Sequence, residues 1–296
     1  MATTAPERTL ASPRIPVNHI TRSFTELAAT IRDAGLLRRH YGFYSSYAAV
    51  LVLGLAGTIA GIILLGDSWF QLLMALALGI VLTQFAFLGH EAAHRAVFRS
   101  GPANDIAGKL ISGIVVGLSN QWWMTKHSRH HANPNTIGKD PDIMPDTVVF
   151  LEEDAKASRG ALRWIISRQG WLFFPLLTME GLNLHRLSVV SLFRDAKGRT
   201  KWLELTWIVV HFALYLVPLF LFLPLGMAFA FVGIQMAVFG VYMGASFAPN
   251  HKGMAIIEPG TRVDFLSKQV LTSRNIRGGW AMSILMGGLN YQVEHH

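Results

Sequence analysis

The chain has no cysteine among its 296 residues, which excludes disulfides, thiolate-bound zinc and cysteine-held iron–sulfur clusters within it. Charge is also scarce. Only 15% of residues are Asp, Glu, Lys or Arg, against about 25% in soluble domains, while 51% are hydrophobic and the mean hydropathy is +0.36. The deficit implies a surface that faces lipid. The first 42 residues lack the short apolar core of a cleaved signal, so the first long apolar stretch is expected to act as an uncleaved anchor.

Four stretches reach the roughly 20 apolar residues that a helix needs to cross a bilayer: residues 44–65, 69–89, 203–223 and 225–248. The first two are separated only by Gly66, Asp67 and Ser68, and the last two meet at Pro224. Two hairpins with almost no loop at their far ends follow. If so, residues 1–42, 90–202 and 249–296 share one side of the membrane. They hold 6, 15 and 5 basic residues, all 26 in the chain. Loops rich in Lys and Arg stay cytoplasmic, so the N-terminus, the polar segments and the C-terminus are all expected on that side. The net charge of +8 reads as topology and attraction to anionic headgroups. The basic residues are scattered and interleaved with acids, which argues against nucleic acid.

Within the polar segments, residues 1–18 have the Thr, Ala, Pro and Arg composition of a disordered tail. Residues 19–42 form an amphipathic interfacial helix in this reading, because Phe24, Leu27, Ile31 and Ala34 recur at helical spacing. Residues 43–296 make up the membrane domain. Ile106–Leu118 is too short to span. Trp164–Leu182 is interrupted by Arg168, Gln169, Gly170 and Pro175. Both are expected as interfacial or partly buried helices. The Asn133-Pro-Asn and Asp140-Pro-Asp strings are loop chemistry.

Eight of the 12 histidines gather where apolar stretches end on the basic side. His90 and His94 follow the second span, four apart and so on one helix face about 5–6 Å from each other. They can share a metal or hold two adjacent ones, though a bare pair can also anchor a helix end. Read as H-E-x-x-H, the same string fits an intramembrane zinc metalloprotease with Glu91 as general base. That site needs one more ligand and leaves the other clusters unexplained. His127, His130 and His131 form the second cluster: residues three and four apart share a face, and the adjacent histidine points elsewhere and could reach a second metal. Trp122, Trp123, Lys126 and Arg129 around it suit an interfacial belt.

The third cluster, Gln292-Val-Glu-His295-His296, repeats that spacing with Gln292 in place of a histidine, either as an oxygen ligand or as a hydrogen-bond donor to one. His251 follows the fourth span, where Pro249 is expected to break the helix and turn Asn250 and His251 inward, as a ligand or as a structural cap. Of the rest, His19, His40 and His185 carry no spacing signal. His211, inside the third span, reads as a helix–helix hydrogen-bonding residue. A metal transporter would place its ligands along a transmembrane path, and only His211 and Glu204 lie in or beside the later spans.

The order H-x-x-x-H, H-x-x-H-H, Q-x-x-H-H, each after a membrane segment, resembles the integral-membrane fatty acid desaturases from about Ala34 to the final residue. The leading Gln of the third motif resembles the front-end, or linoleoyl-CoA-desaturase-like, branch. The resemblance implies an all-α polytopic fold of four transmembrane helices with a cytoplasmic-side helical cap carrying a di-metal site. It implies two iron ions, O2 as co-substrate, and His90, His94, His127, His130, His131, His251, His295 and His296 as ligands, with Gln292. It also implies a fatty acyl substrate carried on CoA or a lipid, contact with membrane lipid, and two electrons per double bond. Many front-end members contain a fused cytochrome b5 with a His-Pro-Gly-Gly motif, and this sequence has none. The donor is therefore expected to be separate, such as ferredoxin or cytochrome b5. Relatives continue beyond the third motif, so further C-terminal residues are expected. A hydroxylase on the same scaffold begins with the same hydrogen abstraction and stands as the nearest alternative.

Overall fold

The protein is described by a computed structural model covering residues 17–296, with side chains from residue 23 onward. Apart from Val17 and Asn18, the expected tail over 1–18 lies outside the described residues. Helices dominate, and no strand occurs among the described residues beyond one isolated bridge, Thr136 to Ile257. In chain order they are α1 (Val17–Asp33), α2 (Tyr41–Leu65), α3 (Gln71–Ala93), α4 (Gly101–Leu110) continued by a π turn (Ile111–Val116), α5 (Asn120–Ala132), α6 (Glu152–Ala157) and α7 (Gly160–Ile166). There follow α8 (Gln169–Arg194), α9 (Gly198–Phe222), α10 (Leu225–His251), α11 (Phe265–Thr272), α12 (Gly279–Leu285) and α13 (Gln292–His295). Helices α2, α3, α9 and α10 are each long and apolar enough to cross a membrane, and they fall on the four apolar stretches.

The chain divides into two compact units, each described by itself. The first, a membrane unit, comprises Arg39–Thr125 and Gly170–Ser246. Its α2–α3 turn is closed by one side chain. A helix ends with four carbonyls lacking intrahelical donors, and the fully buried Gln71 supplies two, to Ile62 O at 2.7 Å and Gly66 O at 2.8 Å. Deeper in the unit, the Tyr47 hydroxyl donates to Gln84, whose amide donates to the Tyr242 hydroxyl at 2.5 Å. This chain ties α2, α3 and α10 together, as polar side chains do between helices in lipid. Phe220 stacks edge-on to Phe229 across the α9–α10 turn, with centroids 5.1 Å apart.

Helix α8 departs from expectation. The interruption falls at Ser167–Arg168, between α7 and α8, and α8 then runs 26 residues straight through Pro175. A proline removes one backbone donor and costs a helix stability, but α8 is held by a close crossing with α10. A Cβ on Gly181 would collide with the Met236 carbonyl, and one on Gly240 with the Leu177 carbonyl. Two glycines thus let the backbones touch. Gly240→Ala is expected to cost about 1–3 kcal/mol through overpacking, read as a lower denaturation midpoint in mild detergent. An unchanged midpoint would mean that the crossing can open to admit a methyl group.

The second, a histidine unit, comprises the described residues up to Arg38 with Lys126–Gln169 and Phe247–His296. Here α1 packs against α11, with Phe24 and Phe265 rings 5.4 Å apart. The interfacial helix expected over 19–42 ends at Asp33. Gly35 takes φ +71, and its N–H and that of Leu36 turn back to Arg32 O and Ile31 O, a left-handed stop that glycine takes without strain.

Candidate metal centre

Helix α5 brings three imidazoles into its later turns. His127 and His131, four apart, have ring centroids 4.2 Å apart, and His295 from α13 lies 6.0 and 4.8 Å from them. The adjacent residue, His130, points elsewhere, toward His251 at the end of α10 and toward His296, with centroids 4.6 and 5.0 Å away. Two sets result: His127, His131 and His295, and His130, His251 and His296. Each set can bring nitrogens within 4.8 Å of one another. The sequence turned adjacent histidines in different directions, and the geometry divides them the same way.

Each imidazole of the second set is turned by a partner on its far nitrogen. His130 Nδ1 lies 3.0 and 3.1 Å from the two oxygens of Asp140, which is wholly buried. Asp140 also accepts from Asn135 N at 2.7 Å and Asp142 N at 2.9 Å, so both its oxygens act as acceptors and His130 Nδ1 is their donor. His251 Nδ1 donates to Thr272 O at 2.9 Å, and His296 Nδ1 to Gln269 Oε1 at 2.9 Å. Gln269 is fixed in that sense because its amide donates to His131 O at 3.0 Å. With all three Nδ1 atoms donating, the three Nε2 atoms are the acceptors. Those of His130 and His251 face each other at 3.3 Å.

Two acceptor nitrogens so placed repel unless a cation or a donor sits near both, and the Gln292 amide reaches only that of His251. All-imidazole donation suits iron, zinc or copper, and neutral rings oriented by a second partner are how metal-binding histidines are built. The residues therefore fit a metal. Asp140 and Asp142 also lie within reach of His130. However, the Lys126 ammonium sits 2.5 Å from Asp142. Although burial pushes its pKa up, Lys126 and His130 hold the Asp142 carboxyl below the usual range. A carboxylate already neutralised by lysine is a poor third ligand, and the acidic pair orients His130.

Gln292 is 2% exposed. Its Oε1 accepts from Asn250 Nδ2 at 3.0 Å, and its Nε2 stands 3.0 Å from His251 Nε2. In this arrangement it acts as a donor beside the ligands, one of its two expected roles. His251 and Asn250 are buried as expected, but Pro249 does not break α10. The ladder closes past it through Lys252 N to Ala248 O at 3.0 Å, because a proline in the last turn deletes one bond and leaves the next intact.

In the membrane unit, His90 and His94 stand at the end of α3 with ring centroids 4.7 Å apart. His90 is 2% exposed. Glu91 between them accepts from the Tyr44 hydroxyl of α2 at 2.6 Å. Desolvation and the neighbouring His90 lower the His94 pKa to about 4, which leaves its ring neutral at pH 7, the form that ligates metals. His211 and His185 lie elsewhere in that unit and hydrogen-bond backbone carbonyls, in line with the reading of His211. The sequence did not single out Asp140, Gln269 or Thr272. A carboxylate ten residues past His130 in a turn-rich loop was a signal for the first, while the Thr272 contact is a backbone carbonyl and left none.

Residues 67–296 match the family model for fatty acid desaturases. The chain is 27% identical over 296 residues to Delta(8)-fatty-acid desaturase 2 of Arabidopsis thaliana, covering 95% of this chain and 65% of the relative. It is 29% identical over 292 residues to the Delta(6)-fatty-acid desaturase fat-3 of Caenorhabditis elegans, and 27% over 298 residues to the Delta(5) fatty acid desaturase fat-4 of the same organism. These alignments cover 93% and 94% of this chain and 64% of each relative. The chain thus spans less than two thirds of the length of each of these relatives. Their names agree with the front-end branch that the third motif resembles. With four helices of membrane-spanning length and three histidine motifs inside the matched region, the chain belongs to the fatty acid desaturase family.

Proposed function

We propose that the protein is an O2-dependent fatty acid desaturase that introduces a double bond into an acyl chain carried on CoA or a lipid. The reading rests above all on His130, His251 and His296, whose Nδ1 atoms are each held by a partner, which sets their Nε2 atoms as the acceptors. One iron is assigned to that set and a second to His127, His131 and His295, and in this reading His90 and His94 are ligands as well. Gln292 steadies His251. When bound, the two irons supply activation of O2 and abstraction of hydrogen from an unactivated C–H bond.

The residues of the chain do the rest. Asp140, the Thr272 carbonyl and Gln269 hold the imidazoles in one tautomer, and the apolar helices solvate the acyl chain. Two electrons and two protons per double bond come from outside, the electrons through a separate donor protein such as ferredoxin or cytochrome b5, and two waters leave. The histidine motifs and both termini face the cytoplasm in this reading, as the placement of all 26 basic residues implies.

The test is to purify the protein from membranes, count iron and zinc per chain, and supply acyl substrate, O2 and a reduced donor. About two irons and an unsaturated product are expected. One zinc without iron would end the desaturase reading, and a hydroxylated product would select a hydroxylase.

A further inference from the structure

The segment joining the π turn to α5 is gripped by four buried polar side chains from α8 and α9. At its first end, a helix terminus leaves carbonyls without donors. His211 Nδ1 donates to Ile114 O at 3.0 Å, and His185 stands with Nε2 3.1 Å from Val116 O. Gly117 then turns at φ +82, so close to His211 that a Cβ would strike its ring. At the second end, Ser188 Oγ accepts from Ser119 N at 2.6 Å. The Glu204 carboxylate accepts from Ser119 Oγ at 2.5 Å and from Gln121 N at 3.2 and 3.3 Å. Ser119 Oγ itself accepts from Trp122 N at 3.1 Å. Glu204 is 2% exposed, and Ser119 and Ser188 are wholly buried.

A carboxylate at a helix N-terminus both pairs the free N–H groups and opposes the helix dipole, and charge-assisted bonds of this kind are the strong ones. Helix α5 needs such a fixture. It has 13 residues, short of the length at which isolated helices persist, and its Asn, Trp, Thr, Ser and His residues are middling helix formers. A slip of one residue would rotate every histidine by about 100°. We infer that Glu204 is a positioning residue for the second histidine motif. Its carboxylate sets the first turn of α5 and thereby the direction in which His127, His130 and His131 point. The inference rests on the reading of those histidines as metal ligands.

The test uses the full chain in nanodiscs with Co(II) alone as probe, followed by its ligand-field absorption, and with amide exchange measured over residues 119–125. Glu204→Gln is expected to weaken Co(II) binding about tenfold, alter its spectrum, and speed exchange at Gln121 and Trp122. Glu204→Asp, which keeps the charge, should recover part of the affinity. Ser119→Ala provides a second variant if Glu204→Gln does not fold. Leu219→Ala, a buried change on the same helix, lowers stability without touching the grip and should keep the wild-type spectrum. Wild-type binding and spectrum in Glu204→Gln, or equal weakening in Leu219→Ala, would overturn the inference. If the wild-type chain binds no Co(II), the metal-centre reading is what fails. Exchange at Gln121 and Trp122 then decides the grip, and unchanged rates in Glu204→Gln would refute it.

Discussion

His130→Ala is expected to abolish product formation and to strip metal from the set it shares with His251 and His296. Loss of an orienting partner alone costs about 10–100-fold in metal affinity or activity, and this change removes a ligand outright. It also strands Asp140. That carboxylate is wholly buried and would lose its imidazole donor while keeping two backbone N–H groups, a loss of the kind that costs about 1–3 kcal/mol or more for a charge. The measurement is metal per chain by elemental analysis alongside acyl products from cells expressing each form. An alanine variant that retains full metal and makes the same products would show that His130 is no ligand. Arg129→Ala, on the same helix turn but outside both sets, should leave both readings near wild type.

Asp140→Ala should produce the next largest effect, a 10–100-fold fall in metal affinity, with every histidine still in place. The cause is the tautomer. Without the carboxylate, His130 can carry its proton on either nitrogen, and the form protonated on Nε2 turns a donor toward His251 Nε2, now 3.3 Å away. Asp140→Asn makes the finer test. It keeps the shape, but whichever oxygen the amide nitrogen replaces, it meets the N–H of Asn135 or that of Asp142, donor against donor. The two variants should therefore fall together in metal titrations. If Asp140→Asn binds metal as the wild type does, the negative charge is dispensable and the carboxylate acts only as a spacer.

How far the sequence could be read depends on what kind of contact each feature needs. Helices α2, α3, α9 and α10 were legible because lipid imposes length and apolarity on every residue of a span, and Gly66–Ser68 and Pro224 mark the turns. His127, His130 and His131 were legible because helical periodicity alone separates the adjacent pair. Gln292 was legible only as a choice between two roles. The sense of its amide is set by Asn250, 42 residues earlier, and nothing local records that. Only the break at Pro175 was misjudged, because proline is costly in a bare helix while α8 is held by its close crossing with α10. Asp140 was seen but taken for turn chemistry, which it also performs through Asn135 N and Asp142 N. Its third bond, to His130, exists only once the loop has folded back.

The buried Gln71 has a further consequence for how the chain enters the bilayer during synthesis. Because its amide already serves Ile62 O and Gly66 O, the α2–α3 turn needs less water for its own backbone. The only charged residue between these helices is Asp67, and an acid at mid-membrane costs about 2.5–3.5 kcal/mol on the insertion scale. The apolar surface of two helices of 25 and 23 residues outweighs that. The first hairpin is thus suited to enter the bilayer as one preassembled piece.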